Sequence, residues 1–305
     1  MNTATTLALA LLLDGAFGEP RWLWSSLRHP AVVMGDAIGW ADRTFNRGDR
    51  RRLRGALTFA ALAVAGLVLG AIPGQFPGGW IVELVFAAVL LAQRSLADHV
   101  RQVADALRLS DGDGRRAVAR IVGRDTAAMD RPAIGRAAIE SAAENFSDAV
   151  VAPAFWFLVA GLPGLLLYKL TNTADSMIGY RTPRHADFGW AAARFDDLLN
   201  WVPARLTAVL IAAIHGVLSD WPGIRRDAGL HRSPNAGWPE AAMARALNTA
   251  LSGPRSYAGL MQDFPFVHPA GRRDIDPDDI DAAVRALWRA WAGVLVSVLI
   301  IAVVW

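Results

Sequence analysis

The chain has 305 residues, of which 53% are hydrophobic, and its mean hydropathy is +0.27. These values predict an integral membrane protein and argue against a small water-soluble domain. The sequence contains no cysteine, which excludes disulfides and thiolate metal sites, and its six histidines lack zinc-ligand spacing. The net charge is +3, but the arginines lie mainly in loops between apolar segments, so we expect no nucleic-acid partner.

Apolar helices dominate the N-terminal part of the chain. Residues 3–13 are apolar but too few for a full span, whereas 55–72 is close to the roughly 20 residues that a bilayer requires. A second apolar helix, 80–92, returns after a turn at 73–78. These segments predict one short helix followed by a pair of membrane helices.

The distribution of arginine predicts the orientation of this helix pair. The turn at 73–78 contains neither lysine nor arginine, while the flanking loops at 21–54 and 93–148 are rich in arginine. The positive-inside rule places the turn outside and both loops in the cytoplasm. We therefore expect a multi-pass protein of the inner (cell) membrane.

Residues 93–148 predict a soluble helical insertion. Its first helix is expected to end at the turn 110–114, which reads SDGDG, and a second helix to run over 116–122. A third helix begins at the N-cap residue Asp130, has a proline in its first turn, and runs to about Phe146.

The apolar segment 149–167 contains a break at GLPG, residues 161–164. The segment is compatible with a simple span and with a re-entrant hairpin, and the pattern alone does not choose between them. Residues 202–218 predict a further apolar helix.

The C-terminal part combines a polar loop with a last helix. The loop covers about 219–283 and contains an alanine-rich helix that ends near Leu251. The last helix starts at Asp276 and reaches Trp305. The whole chain thus predicts an all-α, polytopic membrane protein with about five membrane helices, some of them re-entrant, in a single domain over 1–305.

Residues 168–206 place a polar sequence between two apolar segments. Asp196 and Asp197, with Asn200 one turn later, are the hard oxygen ligands that Mg²⁺ uses alongside phosphate oxygens. Lysine and arginine in this stretch would contact phosphate. Of the 31 lysine and arginine residues, only Lys169 is a lysine. This bias indicates that the chemistry needs an ammonium group at this position, and the alternative is that a single lysine has been retained by chance. Charged caps at a membrane boundary explain fewer polar residues than this stretch contains.

A second polar pattern precedes the apolar segment 149–167. Arg136, Glu140 and Glu144 recur every four residues, so they share one helix face. Two glutamates at this spacing repel each other unless a cation lies between them, which predicts binding of a metal or a substrate amine. A solvated face with Arg136 as an ion-pair partner is the alternative.

The segment 233–240 predicts a tight turn leading into a helix whose N-terminal amides would hold an anion. A plain capped turn is the alternative. The sequence contains no P-loop, no dinucleotide-binding fingerprint and no nucleophile elbow, so a nucleotide would have to bind by other means.

Seven motifs in order along the chain carry a family resemblance. They are DGAFGEP (14–20), HPAVVMG (29–35), VGRDT (122–126), ESAAENFSDAVVAPAFW (140–156), YKLTNTADSMIGY (168–180), ARFDDLLNWVPARL (193–206) and SPNAGWPE (233–240). Together they resemble the adenosylcobinamide-phosphate synthases of cobalamin biosynthesis, the CobD/CbiB family. The resemblance runs almost the full length and is weakest at 252–285.

The resemblance implies an ATP-dependent and Mg²⁺-dependent amide ligase embedded in membrane lipid. Such an enzyme joins (R)-1-amino-2-propanol, or its O-phosphate, to the free propionate carboxyl of adenosylcobyric acid, a corrinoid. The resemblance is compatible with a protein that forms a homo-oligomer or associates with other enzymes of the cobalamin pathway. Because the corrinoid is carried in the cytoplasm, the resemblance implies an active site that faces the cytoplasm and favours the re-entrant interpretation of 149–167.

The matching motifs suggest a role for each polar residue. The expected metal ligands are Asp175, Asp196 and Asp197. The cations expected to neutralise phosphates are Lys169, Arg194 and Arg205. Glu140 or Glu144 would bind and deprotonate the ammonium of the amine, and Lys169 and Asp175 are counted with them as catalytic. Further residues expected at the cofactor or substrate are Arg124, Asn145, Asp148, Asn172, Ser176, Asn200, Ser233 and Asn235. We also expect 140–148 and 233–240 to close over the 168–206 stretch.

Two other functions stay open at this point. The family has non-ligase relatives resembling the AmpE-type signalling proteins, so a regulatory or scaffold protein is one alternative, although a scaffold would not need these polar motifs. A transporter with charges along its pathway is the second. The lack of an inverted repeat disfavours it.

Overall fold

A computed structural model describes residues 1–257 and 259–304. The helices are α1 (Thr3–Phe17), α2 (Arg21–Trp24), α3 (Pro30–Phe45), α4 (Arg51–Ala71), α5 (Gly79–Leu90), α6 (Gln93–Leu109), α7 (Asp111–Val118), α8 (Arg131–Phe146), α9 (Ala152–Ile178), α10 (Trp190–Leu199), α11 (Trp201–Ile214), α12 (Trp221–Ala228), α13 (Gly237–Ala246) and α14 (Pro277–Val304). The strands are β1 (Leu251–Ser252), β2 (Arg255–Tyr257), β3 (Leu260–Gln262) and β4 (Phe266–Val267). They form two short antiparallel pairs, β1 with β4 and β2 with β3. This architecture confirms the all-α prediction.

Two predicted helix starts are confirmed by their capping geometry. The Oδ1 atom of Asp130 accepts a hydrogen bond of 2.8 Å from the amide of Ala133, at the start of α8. At the start of α14, Asp276 Oδ1 accepts from the amide of Asp278, also at 2.8 Å. In both cases a carboxylate satisfies an amide that has no partner within the helix. The predicted end of α14 at Trp305 lies outside the described residues.

The helices confirm a polytopic membrane protein. Within the described residues, four helical stretches are long and apolar enough to cross a bilayer. The bent pair formed by α10 and α11 would make a fifth, in agreement with the predicted number. The α1 helix is apolar but shorter, as expected. The four long stretches are Arg51–Gln75, Gly79–Leu109, Arg131–Ile178 and Pro277–Val304.

The chain divides into two compact units. The first unit comprises 1–92, 152–201 and the residues from Ser297 onward. Its helix α9 packs against α3, α4, α5 and α10, while α1 packs against α5. Buried side chains of Ile38, Ala174 and Phe188 contribute to one core of this unit. The packing fixes the end of α9 beside α10, where the predicted metal ligands lie.

Helix α9 is not straight, because the chain reverses at Ala160 and Gly161. Both residues have non-helical dihedrals, and Gly161 has a positive φ of 62°. A Cβ on Gly164 would lie 2.4 Å from the carbonyl oxygen of Trp156, although a continuous helix separates residues eight positions apart by about 12 Å. The structure therefore supports the hairpin interpretation of the segment 149–167.

The second unit comprises 93–151 and 202–296. Helix α8 packs in it against α6, α7, α13 and β1. Ile134, Ala138, Ile139 and Phe146 of α8 are fully buried. The predicted polar loop at 219–283 is largely folded, since it contains α12, α13 and all four described strands.

Two predicted boundaries in the second unit are wrong. The first helix ends before SDGDG as predicted, since α6 stops at Leu109. The second helix was predicted over 116–122, but Ser110 Oγ accepts from the amide of Asp113 at 3.0 Å and caps α7, which runs from Asp111 to Val118. Gly114 allows α7 to approach α6, since a Cβ there would lie 2.7 Å from the side chain of Leu107.

The second incorrect boundary is the end of the alanine-rich helix. Helix α13 ends at Ala246, five residues before the predicted end at Leu251. Asn248 has a φ of +51°, a left-handed conformation that an α-helix does not contain. The chain turns there and enters β1. The alanine content predicts the helix but carries no signal for its end.

Candidate functional site

The three predicted metal ligands lie close together in the first unit. Asp175 occupies the last turn of α9, and Asp196 and Asp197 lie on α10, which packs against α9. The charge of Asp175 acts on Asp196, and the charge of Asp197 acts on both other residues. We call Asp175, Asp196 and Asp197 the aspartate cluster.

Two side-chain amides and a tyrosine orient Asp196. Asn200 Nδ2 donates to Asp196 Oδ2 at 3.0 Å, and Asn172 also hydrogen-bonds to this carboxylate. The Oδ1 atom of Asn200 in turn accepts from the hydroxyl of Tyr168 at 2.9 Å. Asn200 and Tyr168 are both buried. Asn200 was expected as a ligand-binding residue, but this geometry makes it a positioning residue for Asp196.

One oxygen of the aspartate cluster is left for a ligand, while the predicted metal-binding role of the three residues stays a prediction. The Oδ1 atom of Asp196 is buried and has no hydrogen-bond partner in the described part of the chain. A buried carboxylate oxygen without a partner is costly, and neighbouring like charges add to that cost unless a cation is bound. Among the described residues, no three histidine, aspartate or glutamate side chains form a ready-made metal site. The three aspartates therefore do not form a cation cage by themselves, and a Mg²⁺ ion held there would need further oxygen ligands, such as those of a phosphate.

Two glycines bring the ends of the loop between α9 and α10 into close contact. A Cβ on Gly179 would lie 2.0 Å from Asp175 Oδ1, and one on Gly189 would lie 1.7 Å from the carbonyl oxygen of Ile178. The side chain of Asp175 therefore occupies the space that a side chain at 179 would need. Gly179, four residues after Asp175, is therefore a sequence signal for this close contact.

The predicted cations of the first unit lie in different surroundings. Arg194 is exposed, and its Nη1 lies 3.4 Å from Asp197 Oδ2. Lys169 is half-buried on α9, and its charge acts on His29 at the start of the HPAVVMG motif. Burial is the main cause of the lowered pKa of His29, and Lys169 lowers it further. Ser176 is exposed on the last turn of α9. The phosphate-binding roles of these residues stay predictions.

Glu140 is the centre of a closed hydrogen-bond network in the second unit. Its Oε1 accepts from the amide of Ser252 at 2.7 Å. Its Oε2 accepts from Arg124 Nη2 at 2.9 Å and from Arg255 Nη1 at 3.2 Å. The side chains of all three charged residues are largely buried, with exposed fractions of 5%, 8% and 11% respectively. Arg124 is the arginine of the VGRDT motif, so this motif anchors Glu140.

Glu240 lies near Glu140, but its carboxyl group has fewer hydrogen-bond partners. It is fully buried, its Oε2 has no hydrogen-bond partner among the described residues, and its Oε1 lies 3.7 Å from His231 Nε2. Burial raises the pKa of Glu240 well above its ordinary value, and the charges of Glu140 and Glu144 raise it further. Burial also lowers the pKa of His231. We call Glu140, Glu144 and Glu240 the glutamate cluster.

The other predicted residues lie on α8 and in the turn after it. Asn145 is exposed and donates from Nδ2 to the carbonyl of Ser141 at 2.9 Å. Asp148 lies in a π-helical turn, Ser147–Val151, which the sequence does not predict. Such turns are common at functional sites. Glu144 is exposed, so it is the accessible glutamate of this face.

The SPNAGWPE motif holds Arg205. Arg205 Nη1 donates to Asn235 Oδ1 at 3.3 Å, and its guanidinium lies 4.7 Å from the centre of the Trp238 ring. Ser233 Oγ accepts from the amides of Asn235 and Ala236, both at 3.2 Å. Ser233 therefore stabilises the turn before α13, whereas the N-cap residue Ala236 has no side-chain cap, and the predicted anion binding by the N-terminal amides stays a prediction.

The residues that the sequence missed lie far along the chain from their partners. Arg255 falls in the region of weakest family resemblance and carries no motif. Glu240 and His231 lie within or beside SPNAGWPE, and Tyr168 begins another motif, so these three had a usable signal. Segments 140–148 and 233–240 were both expected at the 168–206 stretch, and within the second unit the charge of Glu140 acts on Glu240. Their closing over 168–206 stays a prediction.

Known proteins resemble this chain over nearly its whole length. A family profile described as CobD/Cbib protein matches residues 7–287. Cobalamin biosynthesis protein CobD of Sinorhizobium fredii (strain NBRC 101917 / NGR234) is 52% identical over 301 residues, which cover 93% of this chain and 92% of the relative. The protein of the same name from Brucella suis biovar 1 is 51% identical, covering 92% and 91%. That of Rhodobacter capsulatus is 44% identical, covering 100% and 99%. No solved structure matches the chain.

Proposed function

The chain belongs to the CobD/CbiB family of cobalamin biosynthesis proteins, and from that premise we propose that it is an amide ligase of the membrane. The proposed reaction joins 1-amino-2-propanol, or its O-phosphate, to the free propionate carboxyl of adenosylcobyric acid. ATP provides the driving force, and the site faces the cytoplasm. The product is adenosylcobinamide or its phosphate.

The reaction proceeds in two steps. A propionate oxygen attacks the terminal phosphorus of ATP, which releases ADP and leaves an acyl phosphate. The amine nitrogen then attacks the acyl carbon, loses a proton, and displaces inorganic phosphate. Both steps place negative charge on phosphate oxygens, so nearby cations would stabilise their transition states.

The aspartate cluster is the proposed magnesium site. Bound Mg²⁺ would neutralise phosphate charge and orient the phosphate chain. Asp196 is held in place by Asn200 and Tyr168, so its unpartnered oxygen is already positioned. Lys169, Arg194 and Arg205 are the proposed phosphate contacts, and Lys169→Arg tests whether an ammonium is specifically required.

Glu144 is the better candidate for the base that accepts the amine proton. Both oxygens of Glu140 already accept hydrogen bonds from Ser252, Arg124 and Arg255. Glu144 shares the helix face of Glu140 and is exposed. We therefore assign the proton transfer to Glu144 and assign Glu140 to holding the site together.

The unpartnered buried oxygen of Asp196 beside two further carboxylates carries this proposal. A scaffold protein has no need of such an arrangement, because it is destabilising without a bound cation. A transporter with charges along its path stays the second candidate, since a membrane protein places such groups near polar cargo.

One experiment separates the three functions. Membranes containing the protein are incubated with adenosylcobyric acid, aminopropanol or aminopropanol phosphate, ATP and Mg²⁺, and the corrinoids are separated chromatographically. A ligase yields the amide together with ADP. A transporter moves a substrate into vesicles without forming the amide, and a scaffold does neither. The absence of product in the presence of all substrates would contradict the proposal.

A further inference from the structure

Six arginines lie together in the first unit, where α3 ends and the membrane helix α4 begins. Arg51 is partly buried and the other five are exposed. Residues 42–54 contain these six arginines and two aspartates, a net charge of +4, whereas the whole chain carries +3. This segment is therefore more basic than the protein as a whole. We call the six residues the arginine patch: Arg43, Arg47, Arg50, Arg51, Arg52 and Arg54.

The guanidinium groups of the arginine patch contact neutral partners. Arg54 Nη1 donates to the carbonyl of Arg47 at 2.7 Å, and Arg47 Nε donates to the carbonyl of Arg43 at 3.1 Å. The guanidinium of Arg52 lies 3.9 Å from the centre of the Trp190 ring. In the part of the chain that the structure describes, no salt bridge joins the patch to a carboxylate. The positive charge of the patch is therefore not neutralised by ion pairs.

The carboxylates nearest in the sequence do not change this result. Asp42 is buried, and its Oδ2 accepts from Arg184 Nη2 at 2.6 Å, so its charge is already paired. Asp36 pairs with Arg28 at 3.1 Å. Asp49 is exposed, and it forms no salt bridge with a described residue. One exposed aspartate among six arginines leaves a large excess of positive charge.

The arginine patch lies at the end of a helix that faces lipid. Helix α4 is long and apolar enough to cross a bilayer, and only four of its 21 residues are buried. Because α4 begins at Arg51, its apolar part starts directly after the patch. Trp40 and Trp190 are exposed beside the patch. Tryptophan is enriched at the membrane–water interface, so these residues also place the patch at the depth of the lipid headgroups.

The backbone that carries the arginine patch is held in place. A Cβ on Gly55 would lie 2.0 Å from the carbonyl oxygen of Phe188, so the start of α4 packs closely against the loop before α10. Asn46 Nδ2 donates to Asp42 Oδ1 at 2.8 Å and to the carbonyl of Arg184 at 3.0 Å. These contacts fix the connection between α3 and α4. A ligand of the patch would therefore not have to order this backbone.

We propose that the arginine patch binds the headgroups of anionic phospholipids in the leaflet around the start of α4. The headgroup phosphate would accept hydrogen bonds from the guanidinium groups. The acyl chains would lie along the exposed apolar surface of α4, which includes Leu53 and Leu57. A lipid fits this place better than a soluble anion, because the cations stand directly beside a lipid-facing surface. The site goes beyond the ligase function and contains none of the residues assigned to it.

The test measures lipid binding by native mass spectrometry and does not depend on amide formation. The full chain is purified in a nonionic detergent, stripped of lipid, and titrated with phosphatidylglycerol or phosphatidylcholine of identical acyl chains. We expect phosphatidylglycerol to bind at least tenfold more tightly. The preference should shrink as ammonium acetate rises from about 50 to about 500 mM, because salt screens exposed charges. Equal affinity for the two lipids would overturn the proposal.

A third titration uses glycerol phosphate, which has the phosphate but no acyl chain. We expect it neither to bind at millimolar concentration nor to displace phosphatidylglycerol. If it displaces the lipid completely, the patch is a site for soluble phosphate, and the proposed lipid site is wrong.

Arg43→Gln/Arg50→Gln is the informative variant, because neither side chain is bonded to another described residue and the fold should survive. We expect it to reduce the preference for phosphatidylglycerol at least tenfold, since each arginine near an anionic headgroup adds to the attraction. Arg43→Lys/Arg50→Lys keeps the charge and should keep most of the preference. Loss of the preference in the lysine variant would contradict attraction by charge.

Arg120→Gln/Arg225→Gln is the matched control. Both arginines are exposed in the second unit, and neither forms a salt bridge with a residue that the structure describes. The control removes the same amount of charge and should leave the lipid preference unchanged. An equal loss of preference in the control and in Arg43→Gln/Arg50→Gln would show that net charge, and not the arginine patch, selects the lipid.

Discussion

The aspartate cluster and the glutamate cluster each gather three carboxylates, but their neighbours differ. Asp196 is surrounded by amides, a tyrosine further out and two like charges, and one of its oxygens has no partner among the described residues. Glu140 has every oxygen occupied, with two guanidinium groups and a backbone amide as donors. The hydrogen-bond partners of a carboxylate, and not its burial alone, therefore decide whether its oxygens are left to bind a ligand or stabilise the fold.

The largest expected effect is on stability and concerns the glutamate cluster. Glu140→Gln should lower the stability of the protein by about 3–5 kcal/mol, because it leaves two buried guanidinium groups without their shared counter-ion. Thermal unfolding in detergent measures the change. Asp98→Asn is the control, since Asp98 pairs with Arg94 on the surface and should contribute only about 0.5 kcal/mol. Equal melting of the two variants would contradict the assigned role of Glu140.

The aspartate cluster should respond in the opposite sense. Asp196→Asn/Asp197→Asn removes like charges, so we expect unchanged or higher stability but a loss of ligase activity of roughly hundredfold or more. Asp36→Asn is the control, because Asp36 forms an exposed ion pair with Arg28. Product formation is measured over a range of Mg²⁺ concentrations. Near-normal turnover in the double variant would remove the metal assignment.

The pH dependence of stability should single out Glu240. Its pKa is raised in the folded protein, so the folded state binds a proton more tightly than the unfolded state does. The resulting stabilisation is complete below the ordinary pKa of a glutamate and is lost as pH rises through the raised value. The slope in that window reaches at most about 1.4 kcal/mol per pH unit.

Glu240→Gln tests this dependence, because the amide keeps the shape but does not titrate. Melting temperatures are recorded from pH 5 to pH 9 for both proteins. The stability of the variant should fall less steeply with rising pH than the stability of the wild type. Parallel curves for the two proteins would mean that Glu240 is charged in the folded state.

The smallest expected effect is at Tyr168. Tyr168→Phe removes the donor to Asn200 in a buried site, which should lower stability by about 1 kcal/mol and reduce ligase activity severalfold through Asp196. Tyr180→Phe is the control, because Tyr180 is exposed just beyond the end of α9. If the two variants have equal activity, Tyr168 does not position the aspartate cluster.

Much of the fold could be predicted because its signals are local. The start of α8 at Asp130 and the start of α14 at Asp276 both depend on hydrogen bonds within three residues. The membrane helix α4 follows from apolar length alone. The start predicted for the second helix of the insertion is too late, because the glycines of SDGDG indicate a turn although glycine is also used for close helix packing, as Gly114 is against Leu107.

Only part of the site could be predicted, because some of its contacts are local in the sequence and others join distant segments. Asp196 and Asp197 lie close together because they are adjacent in the sequence, and the spacing of the polar residues from Lys169 to Asp175 predicts that they lie on a helix. The pairing of Glu140 with Arg255 joins residues 115 positions apart, and no motif marks Arg255. Glu144 and Glu140 look equivalent in the sequence, yet one is exposed and the other has both oxygens occupied.

Hydropathy, capping and spacing act over a few residues, so they reveal the membrane class of the protein, most of its helices and its polar segments. They do not reveal that α9 reverses at Gly161, that Asn200 orients Asp196, or that two arginines neutralise Glu140. Those outcomes depend on contacts between distant segments. Such contacts fix which oxygens and which donors are left for a ligand, and a linear pattern does not contain that information.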